Sequence, residues 1–155
     1  DLANGQEVVI DKGSIAKAVL ASIAIPGLLP PVKYGNRYFV DGGSSNVTPA
    51  SVLVKTPSKV IIAVDVSVPP AVNFLNRPTL FTTLIQAYTI IRDQSLKYQL
   101  SQAKVRHKSL IIVRPVFDDI IDTFQFNQIP DFIALGETAM RHSLPTIKRA
   151  LVKDF

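Results

Sequence analysis

Between Val60 and Val113 the sequence prescribes its own topology. Val60-Ile61-Ile62-Ala63-Val64-Asp65-Val66-Ser67 is almost continuously apolar and β-branched, the pattern of a strand covered on both faces. Leu110-Ile111-Ile112-Val113 repeats that pattern over four residues. Between them, from about Thr79 to Lys104, a long helix is expected, with Leu80, Leu84, Ala87, Ile91 and Leu100 as its candidates for burial. Strands alternating with helices imply parallel pairing, because the intervening helix is the crossover that a parallel neighbour requires. The expected class is therefore α/β, a layered and mostly parallel sheet flanked by helices.

The flanking segments fit such a fold. Val8-Val9-Ile10 reads as a short buried strand. Ser14 offers its hydroxyl to the free amides of a helix on which Ile15, Val19, Leu20 and Ile23 recur at helical spacing, and Pro26-Gly27 is expected to stop it. Val32-Lys33-Tyr34 and Arg37-Tyr38-Phe39-Val40 flank Gly35-Asn36, a hairpin signal. A last helix is expected from near Asp131, with Phe132, Gly136, Ala139, Ser143 and Ile147 on one stripe and Pro145 kinking it or ending its regular part. Val68 to Pro78 reads as a loop over the site. No repeat, low-complexity tract or linker divides the chain, so residues 1–155 are read as part of a single domain.

With 47% apolar residues in 155, the chain has the composition of a packed core. It contains no cysteine, which excludes disulfides and thiolate metal sites. The net charge of +5 is concentrated at Lys97, Lys104, Arg106, Lys108 and Arg114, a stretch that contains no acid. A helix C-terminus followed by a solvated turn is the simplest reading, a surface drawn to anionic lipid headgroups the next. No nucleic-acid motif accompanies the charge, and no nucleic acid is expected as a partner. No apolar run approaches the roughly 18–20 residues of a membrane-spanning helix, and no signal peptide is visible at Asp1. A cytoplasmic or peripheral membrane location is the expectation.

The chemistry centres on Asp41-Gly42-Gly43, at the end of the apolar run Tyr38-Phe39-Val40. A carboxylate there is carried to the rim of a strand, and the glycines allow a turn, or a close approach, that side chains would block. On the tripeptide alone, an aspartate closing its own turn by accepting from nearby amides is the simpler reading. Ser22 lies late in a helix and reads as a packing or back-bonding hydroxyl. His107 in the basic run and His142 off the last helix's apolar stripe make poor third members of a triad. Asp118, Asp119 and Asp122 lack the glycine and the terminal glutamate of a calcium loop. Asp65, inside a buried strand, reads as a residue at the carboxyl end, where open α/β sheets place ligands, or, the simpler reading, as one bonded to neighbouring loop amides.

In their order and spacing, Ala21-Ser22-Ile23-Ala24-Ile25-Pro26-Gly27, Pro30-Pro31-Val32, Asp41-Gly42-Gly43, Asn46, Pro49 and the strand from Val60 resemble the carboxyl-terminal half of a patatin-like phospholipase. Asp1 to Val9 resembles the segment that precedes the helix in that family. The resemblance implies a serine–aspartate lipid acyl hydrolase without cofactor or metal, with Asp41 as the dyad base, Gly42 and Gly43 shaping its turn, Asn46 holding the loop, and Pro49 restarting a helix. It implies an acyl-ester lipid as substrate. The family's Gly-x-Ser-x-Gly nucleophile turn and glycine-rich oxyanion loop have no counterpart here: Gly43-Ser44-Ser45-Asn46-Val47 lacks the last glycine. The fold is thus expected to be incomplete without an amino-terminal half, with the exposed sheet edge covered by that segment or by a second chain, and the chain by itself to be inactive. Ser44, Ser45 and Val47 depart from the family pattern, which leaves open a patatin-fold binding module without chemistry. An unrelated nucleotide-binding domain lacks the glycine-rich turn that it would need.

Overall fold

The computed structural model describes residues 1–67, 78–107, 109–117 and 126–152. The strand–helix–strand unit is present as expected. β3 (Ile61–Val64) and β4 (Leu110–Val113) pair in parallel, Ile61 opposite Leu110 and Val64 opposite Val113, and α3 (Leu80–Arg106) connects them. α3 opens on a reciprocal capping box: the Thr79 hydroxyl accepts from the Thr82 amide and the Thr82 hydroxyl from the Thr79 amide.

Earlier in the chain, α1 (Ile15–Ser22) is capped by the Ser14 hydroxyl, which accepts from the Lys17 amide. It ends at Ser22, four residues before the proline expected to stop it, because the chain turns at Ile23 and Ala24. β1 (Val32–Tyr34) and β2 (Arg37–Phe39) form the hairpin, closed by Gly35 at φ +64°. That angle at the first central position is what a two-residue hairpin turn with glycine leading requires. A short 3-10 turn (Gly42–Ser44) follows, then α2 (Ala50–Leu53), begun by Pro49. The last helix is α4 (Ile129–Val152); it runs through Pro145 rather than ending there, and Ile147 beyond the proline is buried.

The core lies on one face of the β3–β4 pair. Ile61, Ala63 and Leu110 pack against Ala50 of α2 and against Leu96, Leu100 and Ala103 of α3. On the opposite face Val113 is buried, and α4 lies against β4. Ile62, Val64 and Val66 of the β3 segment stay exposed. The expectation of a strand covered on both faces is therefore corrected to one face: α4 shields β4 but leaves that side of β3 bare. Among the described residues, no strand pairs with the second edge of β3.

Other burial expectations change for the same reason. Of the α3 candidates only Leu100 is buried; Leu80 and Ile91 are 80% and 69% exposed, and Leu84 is exposed too, since α3 extends well beyond a two-stranded sheet. Val8-Val9-Ile10 is not a strand but an irregular segment with Val8 and Val9 exposed. The α1 stripe Ile15, Val19, Leu20 and Ile23 is exposed, while the small Ala21 and Ala24 are buried. The loop expected over the site falls mainly on residues 68–77, and Asp118, Asp119 and Asp122 also lie outside the described residues. Among the described residues, no helix is long and apolar enough to cross a membrane.

Candidate functional site

Asp41 is placed by backbone bonds before its side chain is considered. Its amide donates to the carbonyl of Ala24, a buried residue just past α1, at 2.9 Å. The turn out of α1 thus serves as an anchor for the aspartate turn. Asp41 then caps the 3-10 turn: its Oδ1 accepts from the Gly43 amide at 2.6 Å. Its Oδ2 makes no hydrogen bond among the described residues.

The two glycines carry different constraints. A Cβ on Gly43 would stand 2.8 Å from Asp41 Oδ1, a separation that forces the carboxylate to move; one on Gly42 would meet only the Ser22 hydroxyl at 3.7 Å. Gly43→Ala is expected to shift the Asp41 carboxylate off the Gly43 amide, read as a displaced amide resonance by NMR, while the melting temperature stays close to that of the parent. Gly42→Ala, measured alongside, is expected to shift it less.

Asn46 is buried but does not grip the Asp41 side chain. Its Nδ2 donates to Glu7 Oε1 and Ser51 Oγ, both at 2.8 Å, which ties the amino-terminal segment to α2. Its backbone amide closes the turn on the Gly42 carbonyl. Asn46 Oδ1 is buried without a donor. The departures from the family pattern have partners of their own: Ser44 Oγ bonds Tyr88 Oη at 2.9 Å, Ser45 Oγ donates to the Gly42 carbonyl, and Val47 packs on the core.

The sequence reading placed α3 but not its contacts with this turn. Tyr88, Arg92, Ser95 and Gln99 follow one another at four-, three- and four-residue steps, so they share one face of α3. Tyr88 holds Ser44, the Arg92 side chain lies beside Gly43, and Gln99 Nε2 donates to both the Ser45 carbonyl at 2.6 Å and Ser95 Oγ. Polar residues recurring at that spacing along one face of the helix were the signal available.

These elements enclose an open cleft of about 720 Å³. Asp41, Gly42, Gly43, Ser44 and Arg92 are among its lining residues, as are the apolar Val8, Val9, Val52, Leu53, Val64 and Val66. Ser22 also borders it, exposed, beside Gly42. Neither histidine lines it: His107 Nε2 bonds the Ser58 carbonyl and His142 Nδ1 the Thr138 carbonyl, so each serves its own backbone neighbourhood.

Asp65 stands just past β3, at the carboxyl end of the strands, and both of its oxygens are occupied. Oδ1 accepts from the Ser67 amide at 3.0 Å and Oδ2 from Arg114, with Nη2 at 2.6 Å. Burial pushes its carboxyl up, but the Ser67 hydrogen bonds and the Arg114 guanidinium outweigh this and leave it below the ordinary aspartate value. The bond to the Ser67 amide is the loop contact expected of it, and the ion pair with Arg114 adds to that. The basic stretch is in turn less free than its sequence implied: Arg114 pairs with Asp65, and Lys97 Nζ with Asp93 at 2.7 Å.

Comparison with known proteins agrees with this picture over the part of the chain that holds the aspartate turn. Residues 2–54 match the family model described as patatin-like phospholipase. Over 65 residues, 42% of this chain, the sequence is 43% identical to uncharacterized NTE family proteins of Mycobacterium tuberculosis and Mycobacterium bovis. Over 66 residues, 43% of the chain, it is 35% identical to a lysophospholipase of Debaryomyces hansenii and to one of Meyerozyma guilliermondii. The matched stretch spans 11% of the mycobacterial proteins and 4% and 5% of the two lysophospholipases. Over residues 2–54 the chain is thus similar to the patatin-like phospholipases, and the parallel β3–β4 pair with its flanking helices is consistent with an α/β patatin-like fold.

Proposed function

We propose that this chain contributes the base and one wall of a serine–aspartate lipid esterase site, with the nucleophile and the oxyanion donors provided by polypeptide outside it. The observation that carries this reading is the Asp41 carboxylate, held through Oδ1 by the Gly43 amide and without a partner at Oδ2 among the described residues, in a cleft also lined by valine and leucine side chains. In the step proposed, a serine hydroxyl gives its proton to Asp41 as its oxygen adds to the ester carbonyl. The proton then passes to the departing alcohol, leaving an acyl-serine that water hydrolyses by the same route. The oxyanion of each tetrahedral intermediate needs preorganised donors. Valine and leucine side chains along the cleft suit an acyl chain, which makes a phospholipid, lysophospholipid or related ester the substrate class.

The uncovered side of β3 supports a completed site rather than an isolated one. Val64 and Val66 are both exposed and part of the cleft, so the segment that covers that face of β3 would also close the site. The chain alone is expected to give no ester turnover above background, and co-expression with a segment carrying Gly-x-Ser-x-Gly to restore it. Turnover by the isolated chain that disappears with Asp41→Ala would overturn the need for outside residues.

A further inference from the structure

The outer face of α3, turned away from the buried Leu96, Leu100 and Ala103, carries a stripe without a single charge. Leu80, Leu84, Ala87 and Ile91 follow one another at four-, three- and four-residue steps. Gln94, Tyr98, Ser101 and Val105 continue the same alternation of threes and fours to the end of the helix. All eight are exposed, Tyr98 by 67% and Val105 by 79%. That alternation averages 3.5 residues, the period of a seam along which one helix lies against another. Lone apolar side chains on a surface are ordinary, whereas a continuous strip along a 27-residue helix is an interaction surface.

Charge and side-chain size say what lies on it. From Leu80 to Ile91 the helix has no charged residue; from Gln94 to Arg106 it has Lys97, Lys104 and Arg106 and no acid. A second copy laid parallel would bring the two basic halves together. Laid antiparallel, each basic half runs along the uncharged half of the other copy. The antiparallel arrangement also matches sizes. With the two-fold axis between Arg92 and Asp93, Leu80 meets Val105, Leu84 meets Ser101 and Ala87 meets Tyr98, so that twice a small side chain faces a large one. Ile91 meets Gln94 beside the axis, and a polar residue in such a seam fixes its register. We propose that this chain forms a two-fold dimer through α3, the two helices antiparallel. Such a contact uses the same surface of both copies and therefore closes on itself. It leaves untouched the bare face of β3, which lies on the other side of the sheet from α3, and it does not depend on the reading of Asp41.

Sedimentation velocity of the full chain across a wide range of concentration is the first test. A monomer–dimer equilibrium is expected, weakened about tenfold or more by Leu84→Lys, which sets a charge in the seam beside the other copy's lysines. Far-ultraviolet circular dichroism of that variant should match the parent. Orientation is read separately, and on variants that keep the seam uncharged. The chain has no cysteine, so Leu84→Cys and Ser101→Cys proteins each carry one thiol. Mild oxidation of the mixture is expected to join the two variants by a disulfide, and neither variant alone to cross-link. In antiparallel copies the two positions 84 stand about 25 Å apart along the axis, far beyond the reach of a disulfide. Cross-linking of Leu84→Cys by itself would mean parallel helices and overturn the proposal. So would a chain that is monomeric at every concentration, or a dimer indifferent to Leu84→Lys that gives no mixed disulfide. A monomer that floats with phosphatidylcholine vesicles, and loses this with Leu84→Lys, would overturn it in favour of a lipid surface.

Discussion

Asp41→Asn is expected to reduce ester turnover of the completed enzyme by about a thousandfold, with little change in substrate affinity. The substitution keeps the shape of the side chain and an oxygen able to accept from the Gly43 amide, so the turn that places it should persist. What it removes is the ability to take a proton from the nucleophile, and a positioned general base is worth about 100- to 10,000-fold. A dyad has no histidine to share that work, and neither His107 nor His142 borders the cleft. The loss should therefore fall on kcat rather than on KM, since proton transfer occurs on the way to the transition state and not on binding. Steady-state kinetics of the two proteins on one soluble ester decide the matter. A variant that keeps most of its kcat would leave Asp41 as the closer of its own turn and nothing more.

The second large effect is on stability. Asp65 is fully buried and Arg114 is its charged partner, so Arg114→Ala strands a carboxylate whose remaining support is Ser67. Removing one member of a pair whose other member is buried costs about 2–3 kcal/mol, much of it the desolvation of the charge left behind. The pH dependence has a definite sign. The carboxyl sits below its ordinary value in the fold, so on acidification the unfolded chain takes up its proton first. Asp65 therefore contributes stability above the ordinary aspartate value, near 3.8, and that contribution is lost as the pH falls through the lower folded value. The variant should be weaker at pH 7 and show a flatter decline in acid. Urea denaturation at pH 7 and at successively lower pH measures both; coincident midpoints at pH 7 would show that Ser67 alone suffices.

What could be read in advance follows from the range of the signals. The β3–α3–β4 unit was legible because a β-branched run, a capped helix and a second run each declare themselves locally, and their order fixes parallel pairing. The hairpin was legible from Gly35-Asn36, since few residues can take that turn. Burial was not. Leu80, Leu84 and Ile91 have the spacing of a buried stripe, but spacing says only which residues share a face, not whether anything lies opposite. Pro145 allowed either a kink or an end, and α4 continues past it to bury Ile147. The pairing of Asp65 with Arg114 was hidden too, because it depends on two strand ends 49 residues apart coming into register.

The site was legible at one residue and opaque around it. Asp41-Gly42-Gly43 carries its own turn chemistry, whereas Tyr88, Arg92 and Gln99 reach it only through the tertiary path of α3.

That path has a mechanical consequence. A helix of 27 residues is about 40 Å long, and this one is bedded at Leu96, Leu100 and Ala103, while Arg92 and Tyr88 project forward to the aspartate turn. It works as a lever with its fulcrum in the hydrophobic layer. A slight tilt there, too small to unfold anything, swings the forward end sideways and carries guanidinium and phenol out of alignment together.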